Sequence, residues 1–184
     1  MRTKTDKLLA IAVLFGMAIL FSCRNDMKEV MSIKSDENQP VEVAEGVELL
    51  YSDSAMIKLK LRAKKVLRYA PKVGKTVFPE GIHIEFLTGK GEVDTDIRAD
   101  HAVKYEKDLK TEATGNVIVV NRKGERLNTE KLIWDERKEL ILTDEFVKVT
   151  TATQVIMGEG LVADQQFNWY EIKKIKGTIA LDDE

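Results

Sequence analysis

The sequence is poor in the residues on which most protein chemistry depends. Its 184 residues include one cysteine, two histidines, three prolines and two tryptophans. A single cysteine excludes an intramolecular disulfide. Any histidine-based metal site or His-dependent triad could draw only on His83 and His101. Neither sign of charge dominates: Lys and Arg number 29 against 31 Asp and Glu, for a formal net charge of -2. Without a basic block to neutralise a run of phosphates, nucleic-acid binding has no footing. Long apolar runs are missing too. The stretch from Leu8 to Phe21 is shorter than the roughly 20 residues that cross a bilayer comfortably as a helix.

What is present is the composition of an ordinary globular protein, 43% hydrophobic and 33% charged. The length has room for one domain plus whatever its ends add. Arg2, Lys4 and Lys7 precede the apolar run, and Ser22-Cys23 follows it. A basic start, a short apolar stretch and a small residue before the cut make a signal peptide over 1–22. Leu20-Phe21-Ser22-Cys23 looks like a bacterial lipobox, whose cysteine becomes the acylated first residue of a lipoprotein. An uncleaved signal anchor, or a soluble export signal, is the plainer alternative. Cleavage before Cys23 would remove Arg2, Lys4, Lys7 and Asp6, making the net charge two units more negative. Two or three acyl chains would attach the protein to a membrane durably, where one alone is marginal.

Residues 23–46 are polar, without a sustained apolar period, and are expected to form a lipidated tether. Some 22 residues reach about 70–80 Å fully extended and roughly 25 Å as a flexible coil. From Val47 onward the period is two. Met56-Ile57-Lys58-Leu59-Lys60-Leu61-Arg62-Ala63 and Ile82-His83-Ile84-Glu85-Phe86 alternate as strands with one wet face. Val117-Ile118-Val119-Val120 is β-branched throughout, as expected of a strand covered on both faces. Leu140-Ile141-Leu142, Phe146-Val147-Lys148-Val149 and Ile172-Lys173-Lys174-Ile175-Lys176-Gly177-Thr178-Ile179 follow, and charged Gly-containing turns separate several of these runs. Many short strands without a helical stripe predict an all-β sandwich, roll or barrel over 47–184.

The strands repeat at about 30–36 residues, a spacing typical of stacked supersecondary units. Leu61 to Tyr69 followed by Phe78 to Ile84 is answered by Ile97 to Tyr105 followed by Ala113 to Val119. A third copy runs from Leu127 to Val149, and a degraded fourth from Gly160 to Ile179. Each copy reads as a hairpin that cannot bury its own apolar face, so the copies must stack.

The ordered set Gly115-Asn116-Val117-Ile118-Val119, Gly124-Glu125-Arg126-Leu127, Thr129 to Asp135 and Gly158-Glu159-Gly160-Leu161-Val162-Ala163-Asp164 resembles the LptC family. That family includes the membrane-tethered periplasmic component of the lipopolysaccharide exporter and shares its repeat with LptA and OstA-like domains. The resemblance covers Val47 to about Ala180. It implies an open, twisted β-roll or jelly roll with a hydrophobic groove for the acyl chains of lipopolysaccharide. Lipid would arrive at the N-terminal edge from an inner-membrane ABC exporter and leave at the C-terminal edge for an LptA-like bridge. The implied location is the periplasmic face of the inner membrane, with the outer membrane left open. Two departures stand out: Cys23 suggests a lipid anchor where family members often carry a transmembrane one, and Tyr51-Ser52-Asp53-Ser54 stands where a glycine is often found. The glycine before the final strands corresponds to Gly158.

Under this resemblance Val117, Val119, Leu132, Trp134, Leu140, Leu142, Phe146 and Val147 are the groove candidates. Residue type alone fits an ordinary sealed core equally well, because the two differ only in packing. Ile57, Leu59, Leu61, Gly158, Ile172, Ile175 and Ile179 are the candidates for partner edges, since an open roll leaves strands that pair with another chain. Lys58, Lys60, Arg62, Lys64 and Lys65 form a basic cluster that either meets lipid A phosphates or is the wet face of an edge strand. No catalytic residue, metal or cofactor is expected. A zinc site needs three or four converging ligands, the carboxylates fall mostly on turns rather than in a glycosidase pair, and no glycine opens a phosphate-binding helix. The competing function is a structural or carbohydrate-binding envelope lipoprotein with a sealed β-sandwich.

Overall fold

The structure, a computed structural model, describes residues 39–181. The expected signal peptide, Cys23 and the tether up to residue 38 lie outside the described residues. Among the described residues there is no helix, and every strand pairing is antiparallel. The strands are β1 (Glu42–Asp53), β2 (Met56–Arg68), β3 (Lys75–Phe78), β4 (Ile82–Leu87), β5 (Val93–Ala99) and β6 (His101–Tyr105). They continue with β7 (Lys110–Asn121), β8 (Arg126–Asp135), β9 (Leu140–Thr150), β10 (Gln154–Asp164) and β11 (Tyr170–Ala180). Because β1 begins at Glu42, residues 42–46 belong to the first strand rather than to the tether. Their pairing with 63–68 of β2 supplies the backbone partners that a polar composition does not advertise.

The sheet folds back on itself. β7 pairs with β6 through Lys110–Thr114 and with β5 through Ile118–Asn121. β2 likewise pairs with β4 through Leu59–Arg62 and with β3 through Leu67 and Arg68. The circuit β7-β5-β4-β2-β3-β6-β7 therefore closes, giving a roll with two facing walls. At the corner of β7, Gly115 and Asn116 take left-handed φ of 76° and 45°, and the register against β8 breaks between Thr114 and Val117. A bulge of this kind bends the strand and carries it from one wall to the other. Neighbouring strands stay joined through this corner: Asp100 N–H donates to Gly115 O at 3.0 Å, and a Cβ on Gly115 would stand 3.2 Å from that of Asp100.

The expected repeated hairpins are present, with a refinement. In the two N-terminal copies one long strand is broken at the corner, into β3 and β4 by Pro79-Glu80-Gly81 and into β5 and β6 by Asp100. Proline cannot donate to a ladder, which fits its place at the break. From β7 on, the strands cross the corner unbroken, with register shifts between β8 and β9, between β9 and β10 and between β10 and β11.

Alternation sets the core. Ile82, Ile84 and Phe86 of β4, Ile97 and Ala99 of β5, and Val117 and Val119 of β7 point inward and are buried. Ile118 and Val120 are only half-buried, so this β-branched run is covered on one face, not both as expected. Each fully buried Val, Leu or Ile is worth roughly 1.5–3 kcal/mol, and Leu127, Leu132, Ile141, Val147, Val149 and Leu161 concentrate that gain in the C-terminal half. Gly158 keeps β10 and β11 close. A Cβ there would lie 2.5 Å from both Ile172 Cγ2 and the Lys174 carbonyl oxygen.

Candidate functional site: a cavity between the two walls

A cavity of about 800 Å³ lies inside the N-terminal half, where the broken strands separate the walls. Its apolar lining comes from Val47 and Leu49 of β1, Leu59, Leu61 and Val66 of β2, Phe78, Ile82, Phe86, and Trp134 at the end of β8. Such a volume, with an apolar body and a few polar groups, suits a small-molecule or chain-like ligand. Phe86 and Trp134 close one side edge to face, and Trp134 Nε1 donates to Gln165 Oε1 at 3.1 Å. The opposite side carries a polar strip: Lys104 pairs with Glu136 at 2.9 Å, Thr111 donates to Glu136, and Thr76 donates to Glu106 at 3.0 Å.

The two ends of the interior differ. Toward β1, Leu49 and Tyr51 line the cavity yet remain 47% and 58% exposed, so that end is open. At the other end the β10–β11 connection, residues 165–169, crosses from one wall to the other. Thr95 Oγ1 donates to Gln166 O at 2.7 Å, and Asn121 Nδ2 donates to Phe167 O at 2.8 Å. Phe167 is fully buried and stacks on Tyr170, centroids 5.0 Å apart. Burial, and then the nearby Glu125 charge, raise the Tyr170 phenol above its ordinary range. Beyond this strap Leu127, Ile141, Val147 and Leu161 are fully buried.

That distribution revises the groove candidates. Trp134 alone among them lines the cavity. Val117, Val119, Leu132 and Val147 are wholly buried in the packed C-terminal half. Leu140, Leu142 and Phe146 alternate with inward Ile141, Thr143 and Val147, so they lie on the outer face, and Phe146 is 50% exposed. A run of Val, Ile and Leu looks the same in sequence whether its wall is packed or gaping. The missed lining residues, Leu59, Leu61, Ile82 and Phe86, carried the clear period-two pattern but no mark of a void.

The edge candidates divide as well. Among the described residues β11 pairs only with β10, so Ile172, Ile175 and Ile179 lie on an edge strand there. Ile57, Leu59 and Leu61 do not, because β2 is covered along its length by β1; the N-terminal edge is β1 itself. Gly158 is buried against β11 rather than offered to a partner. Of the basic cluster, Arg62 first and then Lys60 pair with Glu48, holding its carboxyl below the usual range, and Arg62 also reaches Glu85 at 3.2 Å.

A shallow concavity of about 920 Å³ follows the outer corner past Arg62, His83 and Asp100. It is open to solvent and Arg62, His83 and Asp100 along it already have partners, so the deeper cavity between the walls is the better candidate. His83 and His101 do not converge; His101 faces Thr114. His83 instead contacts Asp96, and with Glu85 the three present ligand atoms within 4.8 Å of one another. Arg98 at 2.9 Å from Asp96 and Arg62 beside Glu85 balance both carboxylates. This grouping escaped the sequence reading because it depends on the β4–β5 register, Glu85 opposite Asp96.

No curated protein matches the chain. The family described as lipopolysaccharide-assembly, LptC-related, matches over residues 8–180, nearly the whole sequence and all of the roll except its last described residue. The folded-back sheet with free terminal edges and an interior cavity is consistent with that match, and the chain belongs to the LptC family of lipopolysaccharide assembly.

Proposed function

We propose that this protein is a non-enzymatic relay in lipopolysaccharide transport, accepting acyl chains into the cavity from an inner-membrane ABC exporter and releasing lipid to an LptA-like bridge. Membership in the family places the chain in lipopolysaccharide assembly. The observation that carries the finer reading is the apolar interior, open at β1 and lined by Leu59, Leu61, Phe86 and Trp134. Acyl chains gain by leaving water for such a surface, at roughly 0.8 kcal/mol per buried methylene. Free backbone groups on β1 and β11 support edge-to-edge pairing with donor and acceptor domains. A lipid anchor at Cys23 on the periplasmic face of the inner membrane completes the proposal.

The test is mass spectrometry of the full chain purified from membranes, together with photo-crosslinking from benzoylphenylalanine placed at Trp134. Acylated glycolipid attached at position 134 supports the reading. A chain that carries none, and a position 134 that labels only detergent, would favour the sealed-sandwich alternative.

A further inference from the structure

Resting on the transport reading, we infer that residues 165–169 form a gate between the open cavity and the C-terminal half of the roll, with Phe167 as its bolt. The open end at β1 and the free edge at β11 lie on opposite sides of this strap. Gln165 and Gln166 form the cavity's end wall, and the next residue, Phe167, is buried beyond it against Tyr170. Past that ring, Leu127, Ile141, Val147 and Leu161 are fully buried. A lipid held near Trp134 can reach the β11 side only if the strap lifts.

The fastening is of a kind that can lift. Among the described residues, two hydrogen bonds reach across to the opposite wall, Thr95 Oγ1 to Gln166 O and Asn121 Nδ2 to Phe167 O. Neither belongs to a ladder, so both can break while every strand pairing stays intact. Asn121 keeps other partners in the β7–β8 turn, where its Oδ1 accepts from Lys123 and Glu125 N–H at 3.0 Å. Phe167 is held at φ 51°, a left-handed conformation costly for an aromatic residue, so part of its packing gain is offset by backbone strain. An incoming acyl chain can take over the apolar surface that Phe167 leaves, which makes lifting an exchange rather than a plain loss.

The experiment uses full-length protein in membrane vesicles loaded with purified lipopolysaccharide. Benzoylphenylalanine is placed either at Trp134, in the cavity, or at Ile172, on the inner face of β11 past the strap. In the background of Thr95→Val, which removes one fastening with little change of shape, labelling at 172 should rise severalfold while labelling at 134 holds. Pairing Thr95→Cys with Gln166→Cys should suppress labelling at 172 after oxidation and restore it on reduction. Unchanged labelling at 172 in both variants overturns the gate while leaving the cavity reading intact. Loss of labelling at 134 in the unmodified background overturns the cavity reading, and the gate with it.

Discussion

The ring of Phe86 meets that of Trp134 edge-on across the interior, centroids 5.2 Å and planes 89° apart. One comes from β4 and the other from the far end of β8, so the pair pins the two walls at the rim of the cavity. Edge-to-face pairs add about 0.5–1.5 kcal/mol beyond area burial. Trp134→Ala should cost about 2–4 kcal/mol in denaturant unfolding, less than the ~3–5 of a fully buried aromatic because Trp134 is partly exposed. It should also weaken glycolipid retention severalfold. Trp134→Phe should recover most of both, and a variant that loses stability but retains lipid would take Trp134 out of the site.

At the far edge, Ile175 is 64% exposed and the strand has its irregularity beside it: Met157 faces Gly177 and Gly158 faces Ile175, leaving Lys176 without a counterpart. The bulge therefore falls at Lys176. Ile175→Pro should reduce docking of an LptA-like partner far more than lipid binding, measured by pull-down and lipid assay on protein whose melt is near normal. Full docking by folded Ile175→Pro would shift the interface to β1.

Gly158→Ala should lower stability by about 1–3 kcal/mol through overpacking, because the new methyl meets the Lys174 carbonyl oxygen and Ile172. Gly124→Ala is the control. Nothing lies within 4 Å of its Cβ position and only its φ of 80° is unfavourable, a penalty of ~1–2 kcal/mol. Equal losses at both positions would show that contact with β11 is not what constrains residue 158.

Tyr170 gives the molecule an alkaline limit. Its folded pKa is raised above the ordinary 10.0 by burial and by Glu125, so the native state favours the neutral phenol. That contribution is complete below the unfolded value and is lost as pH rises through the folded one. In an ultraviolet titration one of the four tyrosines should ionise late, together with a fall in thermal stability. Tyr170→Phe should remove both, and a late tyrosine that persists in that variant would refute the assignment.

The proposed anchor is tested directly. Cys23→Ala should leave a full-length precursor that no longer incorporates labelled fatty acid, and unchanged labelling would end the lipoprotein proposal.

The alternation of Ile82, Ile84 and Phe86 made β4 legible, and the burial pattern follows it residue by residue. The unit length and stacking were equally readable. β1 was partly hidden, because Glu42 to Gly46 owes its strand state to β2 rather than to its own pattern. Buried Thr95 and Asn121 were invisible for a different reason: their value comes from partners 71 and 46 residues away. No local signal marks Gln165 to Phe167 as a crossing strap. Trp134 was found, but the void beside it depends on strand breaks whose effect is three-dimensional.

Those breaks at Pro79-Glu80-Gly81 and at Asp100 also grade the mechanics of the domain. Where strands run continuously round the corner, bending one wall strains covalent backbone and the ladders on both sides at once. Where they are interrupted, the walls can move apart by adjusting a few turn dihedrals. The roll is therefore hinged in its N-terminal half and braced in its C-terminal half. On the transport reading proposed above, acyl chains of different girth would be met by the hinged half, while the braced half would keep one shape for a partner.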